Sequence, residues 1–456
     1  MILMMKVPWA YRTRMHQKHP PGPACAFDRY FRYLKLQAVP SLIRSTAVSA
    51  AYVSPQERTA MKKTALFLTC ILVFILLSPL CLGEGTREAR DIVTSCRLKL
   101  NQNSNDKEFL TDGKFKTCWR SGKNGWFEIK APEGKAMYGL YILWAEKIAS
   151  PVLERKEADG SWTEIRVLGE PRFYEEYVPL DGETHIRVRN PDTTVQMCVT
   201  ELHVLSEGTL PDWVHVWTAF EDKADIMVIT AHPDDEVLYM GGVIPLYRGQ
   251  EGKKLIQVNV SKQPASRKCE LLECLWTCGV REYPVVSGDI FQDKYNRSLS
   301  QTLSLWNKDK LKQFVVRLLR QYRPDVVVTH DLKGEYGHGA HKAVSWALTE
   351  CLELAADEKY DRDSAAEFGV WQVKKLYVHL YEKNRITMDW RQPLEAFDGR
   401  TAFDVACEGF KKHRTQQGGK YEVKDSGPYD NRIFGLYFTA VGADTPGVND
   451  MFEHIQ

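Results

Sequence analysis

Two short polar clusters hold the residues best suited to chemistry. The first is His232-Pro233-Asp234-Asp235-Glu236. The second runs from His330-Asp331 to Glu335-Tyr336-Gly337-His338-Gly339-Ala340-His341. Both are rich in metal-ligand types, and a His, Asp and His set suits a catalytic zinc site, with three protein ligands and a fourth position open to water. The adjacent carboxylates are informative because neighbouring side chains point in different directions. One can hold the metal while the other faces the water and acts as general base. A His-Pro-Asp-Asp-Glu run alone is also what a turn with a helix-capping Asp looks like, so it is the pairing of the two clusters that favours a metal. His379, a lone histidine at a strand end, reads as an ordinary packed residue. His330 reads equally as structural or as support for the ligands.

The elements that must position these clusters are legible nearby. Residues 225–231, 255–260, 325–330 and 375–381 are largely apolar runs, as expected for strands buried on both faces of a parallel sheet. Between them, Leu311, Phe314, Val315, Leu318, Leu319 and Tyr322 recur at helical spacing and predict a helix over 308–322, ended before Arg323-Pro324. Strand–helix alternation predicts a layered α/β domain over 220–456. Ligands of such sheets bind beyond the carboxyl ends of the strands, where both clusters lie. A helix starting near Gly339 would put His341 in its first turn, where the helix dipole disfavours imidazolium and suits a neutral metal ligand. His338 would sit just outside that helix, free to act on substrate. The tail, 401–456, reads as a helix carrying Phe403, Ala406, Cys407 and Phe410 followed by a strand over 434–438, with no independent chemistry.

Residues 88–208 have a different texture. Short β-type runs alternate with turn signals such as Asp112-Gly113, Asp159-Gly160 and Asp181-Gly182, which predicts an all-β sandwich. The run from Leu110 to Ser121, with Thr117-Cys118-Trp119-Arg120, and the closing Val199-Thr200-Glu201-Leu202-His203-Val204 resemble discoidin-like (galactose-binding-like) domains. That resemblance implies either a sugar-binding or a structural role. Trp119 and Trp126 are candidates for stacking on a sugar, with a place in the core or rim as the favoured reading.

The catalytic clusters carry a second resemblance. Ala231 to Glu236, then Gly241-Gly242, then Tyr336 to His341 are similar to the LmbE/PIG-L family of zinc-dependent N-deacetylases. This implies a Rossmann-like layered fold and removal of acetyl from N-acetylglucosamine-type sugars. It also implies zinc, or another divalent metal, on His232, Asp235 and His341. Asp234 is then the general base, His338 the stabiliser of the oxyanion or proton donor to the amine, and Tyr336 its support. Arg267, opening an Arg-x-x-Glu run, is implied to meet substrate, and Asp331 is grouped with it. Gly339-Ala340 replaces the Pro-Asp common between the family's two histidines, and Ser261-Lys262-Gln263-Pro264 replaces its usual Gly-Glu, which bears on substrate contacts. The alternatives are a zinc amidase for other N-acyl bonds and a non-catalytic carbohydrate-binding protein.

Length and charge set the frame. The 456 residues call for two to three domains, and 61 Lys+Arg against 59 Asp+Glu excludes a dedicated nucleic-acid binder. Nine of those bases and only two acids fall within residues 1–60, which show no sustained apolar period and read as an upstream extension outside the native protein. Met61-Lys62-Lys63, the apolar run to Leu82 and small Gly83 describe a secretory signal peptide over 61–83, with an uncleaved anchor as the rival. The expectation is therefore a secreted or cell-surface enzyme with a glycan or glycoconjugate substrate, no nucleic-acid partner and no membrane span after signal cleavage. Eight cysteines lie beyond the signal; Cys96 with Cys118 or Cys198 would suit a disulfide in an oxidising compartment, while Cys274 and Cys278 read as packing residues.

Overall fold

Alternation of inward and outward side chains builds the first part of the molecule. The structure, a computed structural model, describes residues 87–146, 150–169, 173–221, 223–288 and 290–455. The expected extension at 1–60 and signal at 61–83 lie outside the described residues. Nine strands come first: β1 (Arg97–Leu100), β2 (Trp119–Arg120), β3 (Trp126–Lys130), β4 (Met137–Trp144), β5 (Val152–Lys156), β6 (Trp162–Val167), β7 (Glu175–Glu183), β8 (His185–Arg189) and β9 (Cys198–Leu205). They form two sheets, ordered β1-β3-β8-β5-β6 and β2-β9-β4-β7. Register stacks the inward residues: Phe127 opposes Val188 and Ile129 opposes Ile186, all fully buried. The two sheets share one apolar core, making a sandwich. Trp119 belongs to that core, edge-on to Phe127 with ring centroids 5.8 Å apart. Trp126 lies on the outer face between Lys99 and Arg187. All eight cysteines from Cys96 to Cys407 are free thiols, so no disulfide joins Cys96 to Cys118 or Cys198.

The apolar runs of the second part form a seven-stranded sheet. Its strands are β10 (Ile226–Thr230), β11 (Leu255–Asn259), β12 (Val285–Val286), β13 (Val326–Thr329), β14 (Lys375–His379), β15 (Arg385–Thr387) and β16 (Ile433–Thr439). The order is β12-β11-β10-β13-β14-β16-β15, parallel from β12 to β14 and antiparallel at β16 and β15. Helices α1 (Asp235–Leu238), α2 (Ala265–Thr277), α3 (Leu299–Trp306), α4 (Lys308–Tyr322), α5 (Gly339–Ala356), α6 (Arg362–Phe368) and α7 (Ala402–Lys412) complete it. Ile226 and Val228 enter a core with α2 and α7, while Met227 and Ile229 enter a second core with α4 and α5. Three layers follow, the Rossmann-like arrangement expected from the sequence. Among the described residues no helix is long and apolar enough to cross a membrane.

Strand order fixes where a ligand can bind. The chain runs from β10 outward through β11 to β12, then returns to β13 on the opposite side of β10. This reversal opens a crevice at the carboxyl ends of β10 and β13, the topological switch point of the sheet. The core behind α1 packs tightly at Gly242. A Cβ there would stand 2.6 Å from Ala402 Cβ and 2.8 Å from the Trp390 ring, too close for either to remain. Gly242→Val should therefore lower stability by about 1–3 kcal/mol through overpacking, read as a lower urea midpoint with an unchanged slope.

Candidate metal and catalytic site

Two tight turns deliver the side chains to the crevice. After β10, the chain passes through His232 and turns at Asp234, whose φ of 112° is unusual for a residue with a Cβ. Glu236 holds this turn: its Oε2 accepts the Asp234 N–H at 2.8 Å, and its Oε1 lies 2.7 Å from His413 Nε2. After β13 comes His330, then a 3-10 turn over Glu335–Gly337 with Tyr336 at φ 43°. His338 caps α5, its Nδ1 accepting the Ala340 N–H at 3.1 Å. That leaves its proton on Nε2 in the neutral ring. His341 follows in the first turn of α5.

The buried carboxylate of Glu335 organises the histidines. Oε2 meets His341 Nδ1 at 2.7 Å and His330 Nδ1 at 2.9 Å, while Oε1 meets His379 Nδ1 at 2.6 Å and accepts the Asp331 N–H at 3.2 Å. With Nδ1–H of His341 directed at Glu335, its Nε2 presents a lone pair to the crevice. His232 is oriented likewise, with Nε2 3.2 Å from Asp293 Oδ1. Its Nδ1 then faces His341 Nε2 at 3.2 Å, and Asp235 lies 3.3 Å from the first ring and 3.4 Å from the second. One ligand atom from each of His232, Asp235 and His341 falls within 4.8 Å of the others. With both rings neutral, two imidazole lone pairs and a carboxylate converge on one point, an arrangement that a cation satisfies. The donor set fits a divalent metal, and each histidine has the outer carboxylate that metal-bound imidazoles ordinarily use.

A cavity of about 180 Å³ opens beside this set, lined among others by Asp234, Arg267, Tyr336 and His338. Burial is the main cause that raises the Asp234 carboxyl, to about 7, against the pull of Arg267 at 3.1 Å. Burial, then the His232 and His341 rings, draws His338 down to about 3 and keeps it neutral. Burial also raises the Tyr336 phenol, which stays protonated. Arg267 bonds the Pro233 carbonyl and Gln263 Oε1, and its Nε is buried without a partner.

The structure thus brings seven of the eight sequence-derived site residues together: His232, Asp234, Asp235, Arg267, Tyr336, His338 and His341. Asp331 is not among the residues lining the cavity. Its Oδ1 is engaged by the Lys333 N–H at 3.1 Å, closing the turn after β13. Asp293 lines the cavity instead, on the loop after β12. That strand has only two residues, too few to read from the sequence, although looking beyond every parallel strand would have led to it. Gln416 and Tyr421 also line the cavity. With His413, they show that the tail read as chemically silent furnishes one wall and braces the Asp234 turn.

The family model described as GlcNAc-PI de-N-acetylase (PIG-L) matches residues 227–352. The chain carries a PIG-L family domain. The 1D-myo-inositol 2-acetamido-2-deoxy-alpha-D-glucopyranoside deacetylase of Rhodococcus jostii is 25% identical over 240 residues, 42% of this chain and 81% of that protein. A deacetylase of the same description from Catenulispora acidiphila is 26% identical over 179 residues, 33% of this chain. The chain spans about half of that relative's length, 54%. Among solved structures, the N,N'-diacetylchitobiose deacetylase of Pyrococcus horikoshii is similar at 19% identity and a TM-score of 0.32, over 42% of this chain and 71% of that one. A family 32 carbohydrate-binding module of Clostridium perfringens in complex with galactose is similar at 12% identity and a TM-score of 0.22, over 26% of this chain and 99% of that one.

The PIG-L motif histidine His232 makes metal binding pH-dependent. Burial opposes its charge, but Asp235 and Asp293 carry its pKa up to about 9 in the metal-free protein. A metal must displace that proton. Zinc affinity should therefore fall about tenfold per pH unit below about pH 9, measured by competition with a chromogenic chelator. A flat response would contradict the assignment.

Proposed function

We propose that the PIG-L domain is a metal-dependent hydrolase removing the acetyl group from an N-acetylglucosamine-type sugar or glycoconjugate. The observation that carries this reading is the convergence of His232, Asp235 and His341 on one cation position, beside a buried Asp234 and a neutral His338. The PIG-L family match and the deacetylase relatives support it. His232, Asp235 and His341 would hold the metal, zinc by the chemistry of a His, His and carboxylate set. When bound, it supplies Lewis acidity that polarises the acetamide carbonyl and acidifies water.

The remaining steps belong to the chain's own groups. Asp234, raised towards neutral pH, takes a proton from the attacking water. His338 directs Nε2–H at the carbonyl oxygen as negative charge develops there, and the Tyr336 hydroxyl adds a second donor. The proton held by Asp234 passes to the departing amine. Water is consumed, the C–N bond breaks, and acetate and the free amino sugar are released. Arg267 holds Asp234 in place and offers its buried Nε to a substrate oxygen. The basic, apolar and small-residue run at 61–83 supports a secreted or cell-surface location.

The test is acetate release from N-acetylglucosamine oligomers and glycoconjugates by the zinc-loaded chain. Asp234→Asn should retain one equivalent of zinc by elemental analysis while kcat falls at least about a hundredfold, the lower range for a lost acid–base group. Full activity of that variant would overturn the assignment.

A further inference from the structure

The cavity beside Asp234 is small. At about 180 Å³ it falls below the roughly 300–1,000 Å³ of pockets that enclose a drug-sized ligand. It has room for little more than the reacting acetamido unit and leaves the rest of a substrate at the mouth. Two tyrosines stand there. Tyr295 is 61% exposed and Tyr421 41%, yet both line the cavity. They extend the row of rings that holds the two oxyanion donors. Tyr295 lies edge-on to His338 with ring centroids 5.1 Å apart, His338 meets Tyr336 at 5.5 Å, and Tyr336 meets Tyr421 at 6.1 Å. The exposed pair therefore flanks the inner pair on the solvent side.

The loop that carries Tyr295 is pinned to the start of α5. The Asn296 carbonyl accepts the Gly339 N–H at 2.8 Å, and the Arg297 carbonyl accepts from Lys342 Nζ at 2.9 Å. Asn296 Oδ1 accepts the Ser298 N–H at 2.9 Å and the Thr302 hydroxyl at 3.0 Å. A Cβ at Gly339 would stand 2.4 Å from that Oδ1 and 2.5 Å from Thr302 Oγ1. Proline, common in the family at this position, has such a Cβ and no N–H to give. Glycine at 339 is therefore what lets the loop close onto the helix, and the closed loop sets Tyr295 against His338. Arg297 Nε donates to the Tyr295 hydroxyl at 3.2 Å, which steadies the tip while the ring stays exposed.

We infer that Tyr295 is a specificity residue, whose ring stacks on the sugar joined to the one being deacetylated, with Tyr421 at the other end of the row. The substrate class is therefore a glycan of linked pyranose rings and not a single acetamido sugar. This rests on the proposed deacetylation for which ring enters the cavity. The chemistry suits the place. A pyranose has faces of C–H groups that pack on an aromatic ring, and hydroxyls at its edge that stay in water. A tyrosine offers a rigid face with little side-chain entropy to lose. The Gly339 that departs from the family pattern then has a role: it positions a contact for the longer substrate.

The zinc-loaded, full-length Asp234→Asn chain, which binds without turnover, tests this by calorimetry with two probes, N-acetylglucosamine and N-acetylchitotetraose. The tetramer should bind at least about tenfold tighter. Adding Tyr295→Ala should remove most of that advantage and leave the affinity for N-acetylglucosamine unchanged. Tyr295→Phe should keep the advantage, because the ring and not the hydroxyl makes the contact. Tyr295 is exposed, so neither change threatens the fold. Equal affinity for the two probes, binding of neither, or an advantage that survives Tyr295→Ala would overturn the inference. So would a loss as large in Tyr295→Phe as in Tyr295→Ala. Stacking and deacetylation fail separately. A Tyr295-dependent tetramer advantage in a chain whose parent releases no acetate would sink only the catalytic reading. Acetate release by the parent with the tetramer advantage absent would sink only the stacking.

Discussion

Glu335 is the interaction on which the site depends. A fully buried carboxylate is costly to desolvate, and it is retained only where donors surround it. Here three imidazole nitrogens and one backbone N–H converge on its two oxygens. Burial alone would raise its pKa; His330 and the hydrogen bonds from the histidines hold it well below the ordinary carboxylate range. The fixed negative charge decides which nitrogen of His341 carries the proton, and so which nitrogen faces the crevice. It also ties β14, through His379, to the turn that follows β13. One side chain therefore sets the tautomer of a candidate ligand and clamps neighbouring strands of the sheet.

The rest of the molecule presents this arrangement without making it. Parallel pairing of β10 with β13 brings the two clusters side by side, because their carboxyl ends open at the same point of strand reversal. Strained backbone at Asp234 and Tyr336 aims both side chains into the cavity, and each strain is held from behind. Glu236 and His413 brace the first turn. Glu335, tied to the histidines, braces the second. Such strain persists only where the surroundings over-determine it.

Much of this was legible in the sequence, for physical reasons. Strands buried on both faces are near-continuous apolar runs, so β10, β11, β13 and β14 appeared within a residue or two of their ends. The apolar stripe from Leu311 to Tyr322 marked α4, and Arg323-Pro324 marked its end. Ligand types grouped after two strands pointed to the crevice. What could not be read has no local signature. Asp293 follows a two-residue strand, and Gln416 and Tyr421 reach the cavity only through the packing of the tail. Asp331 shares a position beyond a strand with the other candidates, but one of its carboxylate oxygens closes a turn and it does not line the cavity.

The central claim is that Glu335 orients His341 and its neighbours to hold a divalent metal. Its most direct test is the zinc affinity of Glu335→Gln, measured against the parent chain at one pH with melting curves recorded for both. An amide in place of the carboxylate directs a donor at histidines that already donate, so affinity should fall about 10–100-fold while the chain still melts cooperatively. Zinc affinity unchanged in a folded Glu335→Gln protein would contradict the account.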